Sequence, residues 1–160
     1  MNIFYLDECP VKAAQAMCDQ HVVKMVLETG QLLCSAHNLL DGEKPGLYKT
    51  THANHPSAKW ARSGFEQYSW LFEHFVALSE EYQHRYNRVH GTYNKLADML
   101  EACPQNIPDG DFLPPPLAMP DEYKCSNHVL SYQTYYRKDK QFGQWRNGRS
   151  KPAWMKEEVG

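Results

Sequence analysis

The chain has 160 residues and a formal net charge of −2. That is the size of one ordinary domain, and the balance excludes a uniformly basic nucleic-acid binder, so an anionic partner must be met by a local patch. With 42% hydrophobic residues the chain can build a core; five cysteines, an odd number without a CxxC, argue against a disulfide framework or a cysteine zinc site.

The opening MNIFYLDECP lacks the charged start and long apolar run of a secretory leader. No stretch of about 18 apolar residues is present, and a cytoplasmic protein is expected. Asn2 to Leu6 read as a short extended segment. Pro10 suits the first turn of a helix. From Val11 the apolar positions Ala14, Cys18, Val22, Met25, Thr29, Leu32, Ala36 and Leu39 recur at helical spacing. One helix over roughly 11–40 is predicted, with Gly30 costing about 1 kcal/mol relative to Ala and Asp41-Gly42 ending it. After a loop at 41–55, Asn54 is the expected N-cap of a second helix, with Pro56 just inside. That helix should run to about Asn87, burying Trp60, Gly64, Gln67, Leu71, Phe75, Leu78 and Tyr82. A shorter helix over about 92–102 follows Gly91.

Six prolines between Pro104 and Pro120 forbid regular structure over 103–124. The segment reads either as a functional loop or as a polyproline-like strap over the core. Ser126 is the expected cap of a last helix to about Lys140, with Val129, Tyr132 and Tyr136 inward. The expectation is therefore a single all-α domain over 1–160. It is a compact bundle of three to four helices with a long Pro-rich loop and a basic, aromatic tail over 137–160.

Three groups of residues can carry chemistry. His21, Lys24, Glu28 and Gln31 share one helical stripe. A carboxylate at the edge of the core is partly withdrawn from water, which suits acid–base work; a solvated Lys24–Glu28 ion pair is the plainer alternative. The segment Thr50-Thr51-His52-Ala53-Asn54-His55-Pro56 gathers hydroxyls and imidazoles at a helix start, where anions are attracted. The same residues also read as a simple cap with surface histidines. Finally, Arg137, Lys138, Lys140, Arg146, Arg149 and Lys151 interleave with Phe142, Trp145 and Trp154, against one acid, Asp139. Basic groups meet phosphates and rings stack on bases, although such a tail also serves as a solvated anchor. HxxH alone is a weak metal signal, and neither a metal nor a cofactor is expected.

Asp19-Gln20-His21 followed by Glu28 resembles the start of the phage pyrimidine-dimer DNA glycosylases of the endonuclease V type. MNIFYLDECP is similar to the opening of their bacterial and archaeal relatives, Asn54-His55-Pro56 to an Asn-His-Pro element there, and Lys151-Pro152-Ala153-Trp154 to their C-terminal Pro-x-Trp. The chain also resembles small phage proteins. The resemblance implies a mainly three-helix domain that extrudes a base from kinked DNA. It implies a free N-terminal amine, carried by Met1 or Asn2, that attacks the sugar C1′, and a helical carboxylate that moves protons and stabilises charge. The carboxylate maps onto Glu28 and the histidine onto His21. An α-amine with a pKa near ~8 is substantially neutral and nucleophilic in the cell. The expected function is thus excision of damaged or modified pyrimidines with a possible abasic-site lyase step. His55 joins the catalytic set, and Lys24, His52, Asn54 and the tail residues bind DNA or a nucleotide. The chain is expected to be a monomer. A nucleotide-processing hydrolase or transferase built on the His/Glu groups, and a non-enzymatic viral binder, stand as the alternatives.

Overall fold

The computed structural model describes residues 2–156, which form six α-helices and no strand. The all-α expectation holds, but the helices are more numerous and shorter than the apolar periodicity indicates. The helix read over 11–40 is two: α1 (Pro10–Ala16) and α2 (Asp19–Asp41). Met17 is extended between them. The groups exposed by this break are satisfied from the far end of the chain. Trp145 Nε1 donates to Ala16 O, Cys18 N to Tyr136 Oη, and Asp19 N to Gln144 O. Gly143 lies so close that a Cβ there would meet Cys18 Cβ at 2.8 Å.

The second predicted helix is also broken, into α3 (Pro56–Ala61) and α4 (Phe65–Tyr86). Here Phe65 N donates to Pro108 O. The caps shift by one residue from those expected. His55, not Asn54, caps α3 by accepting from Ser57 N, and Asn127, not Ser126, caps the last helix through Leu130 N. α5 (Gly91–Leu100) is capped by His90 in the same way as α3, and α6 spans His128–Asp139.

α4 packs along α1 and α2, and α3 and α5 complete the layer around α2. The apolar stripe of α2 is buried through Val22, Met25, Thr29, Leu32 and Ala36, whereas Leu39 near its end, and Val11 on α1, face solvent. The residues expected to line the second helix are all buried. Gly30 has a packing reason: its missing side chain admits Thr92 of α5 and Phe75 of α4, and a Cβ would stand 2.8 Å from Thr92 Cγ2.

The proline segment is the strap. Trp60 Nε1 donates to Leu113 O, Tyr132 Oη to Pro116 O, and His128 Nδ1 bonds Pro115 O. The C-terminal segment folds back onto the α1–α2 corner and the end of α4 through buried charges. Arg85 donates from Nη1 to Asp19 (3.0 Å), from Nε to Glu81 (2.8 Å) and from Nη2 to Gln15 O. Arg149 clasps Glu81 with two bonds, and Arg146 reaches Asp19. The cysteines are free thiols, and no described helix is long and apolar enough to cross a membrane.

Candidate functional site

α2 organises the residues that the motifs single out. Its outward stripe carries Gln20, Val23, Lys24 and Leu27 in solvent, with Glu28 and Gln31 half-buried beside them. Glu28 keeps 18% of its side-chain surface and pairs with Lys24 Nζ at 3.7 Å, while Lys24 keeps 69%. The carboxylate is thus partly desolvated and stands next to an exposed cation.

Two other elements land on α2 about equally far from Glu28, one on each side. At the N-terminal side, Phe4 stacks on His21 with ring centroids 4.4 Å apart and planes 9° from parallel. At the C-terminal side, Ser35 Oγ accepts from Thr51 N (3.1 Å) and so fixes the Thr50–His55 loop. His21 and Ser35 each lie seven residues from Glu28, which is two turns or about 10 Å along the axis. The N-terminal segment and the histidine loop therefore flank the carboxylate.

His21 is set in an aromatic box of Phe4, Tyr136 and Phe142. Burial first, then Lys140 and Lys24, lower its pKa to about 4, so its ring is neutral near pH 7. Tyr136 Oη is 2.6 Å from its Nδ1. Burial pushes that phenol well above its ordinary range, so the hydroxyl stays protonated; it accepts from Cys18 N and donates toward Cys18 Sγ. Asn2 is two residues, at most about 7 Å of extended chain, from Phe4. It is half-buried, and its Oδ1 is a buried acceptor without a hydrogen-bond partner among the described residues. Met1 lies outside the described residues.

In the loop, His52 is exposed, adopts a left-handed conformation (φ 53°) and bonds Thr51 Oγ1 through Nδ1. Non-glycine residues in that region are uncommon, and such strain concentrates at ligand-contacting segments. His55 uses Nδ1 as the acceptor for Ser57 N, which leaves Nε2 protonated and free of that bond. Burial, with His52 nearby, lowers its pKa. Asn54 is exposed.

Residues 1–94 match the family of the pyrimidine dimer DNA glycosylase. The chain belongs to that family. The matched span holds the N-terminal segment, α1 to α4 and the start of α5, and with them His21, Glu28 and the Thr50–His55 loop. No curated protein and no solved structure matches the chain. The strap, α6 and the tail lie beyond the family match.

The tail residues are engaged with the protein itself. Arg146 is 54% exposed, bonds Asp19 and lies over the Tyr86 ring at 4.4 Å. Lys151 approaches Trp145, Lys140 lies over Tyr135, and Trp154 packs edge-on against Tyr136. Arg137 Nη1 bonds Trp154 O, and Lys138 faces solvent. Between the tail and the α1–α2 corner is a cleft of about 320 Å³ lined by Asp19, Gln20, Tyr86, Phe142, Gln144, Trp145 and Arg146. Motif reading did not find Tyr86, Gln144 or Asp19 as its walls. A run of exposed polar and aromatic residues close to two arginines was the available signal.

Proposed function

We propose that the protein is a DNA glycosylase that excises damaged pyrimidines and then cleaves the abasic strand as a lyase. Membership of the pyrimidine dimer DNA glycosylase family over 1–94 carries this reading, because that span contains Glu28 and both elements that flank it. Glu28 acts as the acid–base carboxylate. Its partial burial strengthens its interaction with a developing positive charge on the sugar. The N-terminal amine is the nucleophile. A bond from its nitrogen to C1′ forms as the bond from C1′ to the base breaks, and the proton lost by the amine leaves with the base. Protonation of the ring oxygen through Glu28 then opens the sugar to an imine. Loss of a C2′ proton expels the 3′ phosphate.

His21 serves as a positioning residue: neutral and stacked on Phe4, it holds the segment that carries Asn2 against α2. His55, His52, Asn54 and Lys24 face the DNA beside the carboxylate, and the exposed tail cations extend that face. The deciding experiment incubates the full chain with a duplex containing one cyclobutane pyrimidine dimer, then with an abasic duplex and borohydride. Base release, strand scission and a trapped covalent adduct are expected. An intact dimer duplex with no adduct on the abasic one overturns the reading.

A further inference from the structure

Four of the seven residues that line the cleft between the tail and the α1–α2 corner, Phe142, Gln144, Trp145 and Arg146, lie after Asn94, so the matched span alone does not account for it. Its rim is not core. Phe142 is 51% exposed, and Gln20 and Gln144 face solvent. Among the described residues, Arg146 is held in place on one edge of its guanidinium. Its Nε–H is bound by Asp19 and its flat face lies on Tyr86, which leaves terminal N–H groups of a half-exposed guanidinium for an anion. A rigid, pre-oriented fork of this kind suits a phosphate better than a free lysine does.

The cleft also has a fixed relation to Glu28. Gln20 on its wall and Glu28 lie on the same outward side of α2, eight residues apart, which is about 12 Å along the axis. One strand of duplex DNA advances about 3.4 Å per nucleotide, so that distance corresponds to three or four nucleotides. Exposed Val23 and Leu27 form an apolar track between the two, of the sort that contacts sugars and base edges in a groove.

Building on the glycosylase reading, we propose that this cleft is a second DNA subsite. It receives the deoxyribose-phosphate three or four nucleotides from the lesion, with the phosphate on Arg146 and the sugar against Phe142. The lesion is then gripped at two points on α2, one chemical and one anchoring.

The experiment uses the full chain and a duplex with one dimer at a constant position. A single phosphate at a time, two to seven nucleotides away on either side and on each strand, is replaced by an uncharged methylphosphonate. Affinity should fall about tenfold at three or four nucleotides on one side of one strand, the loss for one charge-assisted contact, and stay level at seven. Arg146→Gln should be blind to the replacement at that position and should lower the salt slope by about one unit. Phe142→Ala, which leaves the Asp19–Arg146 pair in place, should weaken binding of the unmodified duplex. A chain that cuts the dimer duplex yet shows a flat profile overturns the subsite alone. A chain that neither binds nor cuts it overturns the glycosylase reading and the subsite together.

Discussion

Tyr136 Oη and His21 Nδ1, 115 residues apart in sequence, meet at 2.6 Å and join α6 to the start of α2. Burial keeps the phenol protonated and the imidazole neutral at this contact. The same contact holds the His21 ring parallel to Phe4, so the N-terminal segment depends on it.

This pairing sets a pH dependence. His21 and the buried His74 both have pKa values lowered to about 4 from 6.5, in each case mainly by burial. Folded-state values below the unfolded ones mean that the unfolded chain binds protons first. The contribution is complete above pH 6.5 and is lost as pH falls from 6.5 through about 4. Each group adds a slope of up to about 1.4 kcal/mol per pH unit in that window. Urea unfolding at pH 7, 6 and 5 should show stability dropping at each step. His21→Gln should reduce the slope by roughly one proton. A midpoint that is level from pH 7 to pH 5 would show that the two histidines are not held neutral.

Gly30→Ala should destabilise the protein, against the gain of about 1 kcal/mol that helix propensity alone would give. The new methyl would stand 2.8 Å from Thr92 Cγ2, on a stiff β-branched side chain that is buried. Overpacking of this kind costs about 1–3 kcal/mol. Adding Thr92→Ser removes the opposing methyl while keeping the hydroxyl that meets Tyr48. The double variant should recover stability relative to Gly30→Ala, as read from thermal midpoints.

Glu81 holds two arginines, Arg85 and Arg149, and is itself buried. Glu81→Gln would leave both cations facing a neutral amide. Breaking a buried pair by removing one partner costs about 3–5 kcal/mol, which for a domain of this size is a fall in thermal midpoint of roughly 6 to 20 °C. Lys24→Gln, which removes one partner of an exposed pair, should change stability by less than about 1 kcal/mol. A Glu81→Gln protein as stable as the parent would mean that the tail is not clamped by charge.

The legible and illegible parts of this fold divide by range. The burial of Val22, Met25, Leu32 and Ala36 follows from spacing along a single helix, and the strap from the chemistry of its prolines. The break at Met17 has no Gly or Pro to announce it. It exists because Tyr136, Gln144 and Trp145 satisfy the backbone groups it frees, and no local pattern encodes partners so far along the chain. Tail charge was likewise visible, but not that Asp19 and Glu81 take up part of it. For the candidate site, the placement of Glu28 and His21 on one helix was legible. Their separation in role was not, because the aromatic box around His21 is assembled from three distant segments.

Glu28→Gln separates chemistry from binding. The amide keeps the shape of the side chain and a hydrogen-bonding group beside Lys24 but carries no charge and no titrating proton. General acid–base contributions are typically ~10²–10⁴-fold, so single-turnover base release from a dimer duplex should fall at least a hundredfold while affinity stays within a few-fold. The pair with Lys24 is half in solvent, so folding should survive, which a thermal midpoint near that of the parent would verify. Blocking the N-terminal amine by acetylation is a different lesion. With abasic DNA and borohydride, Glu28→Gln should still trap a fraction of covalent adduct, because the amine can attack an aldehyde that is already open. The acetylated chain should trap none, because its nitrogen cannot form an imine. A loss below tenfold in Glu28→Gln would remove the carboxylate from the catalytic role. Full activity in the acetylated chain would leave Glu28 as a base that activates water, in a glycosylase without the lyase step.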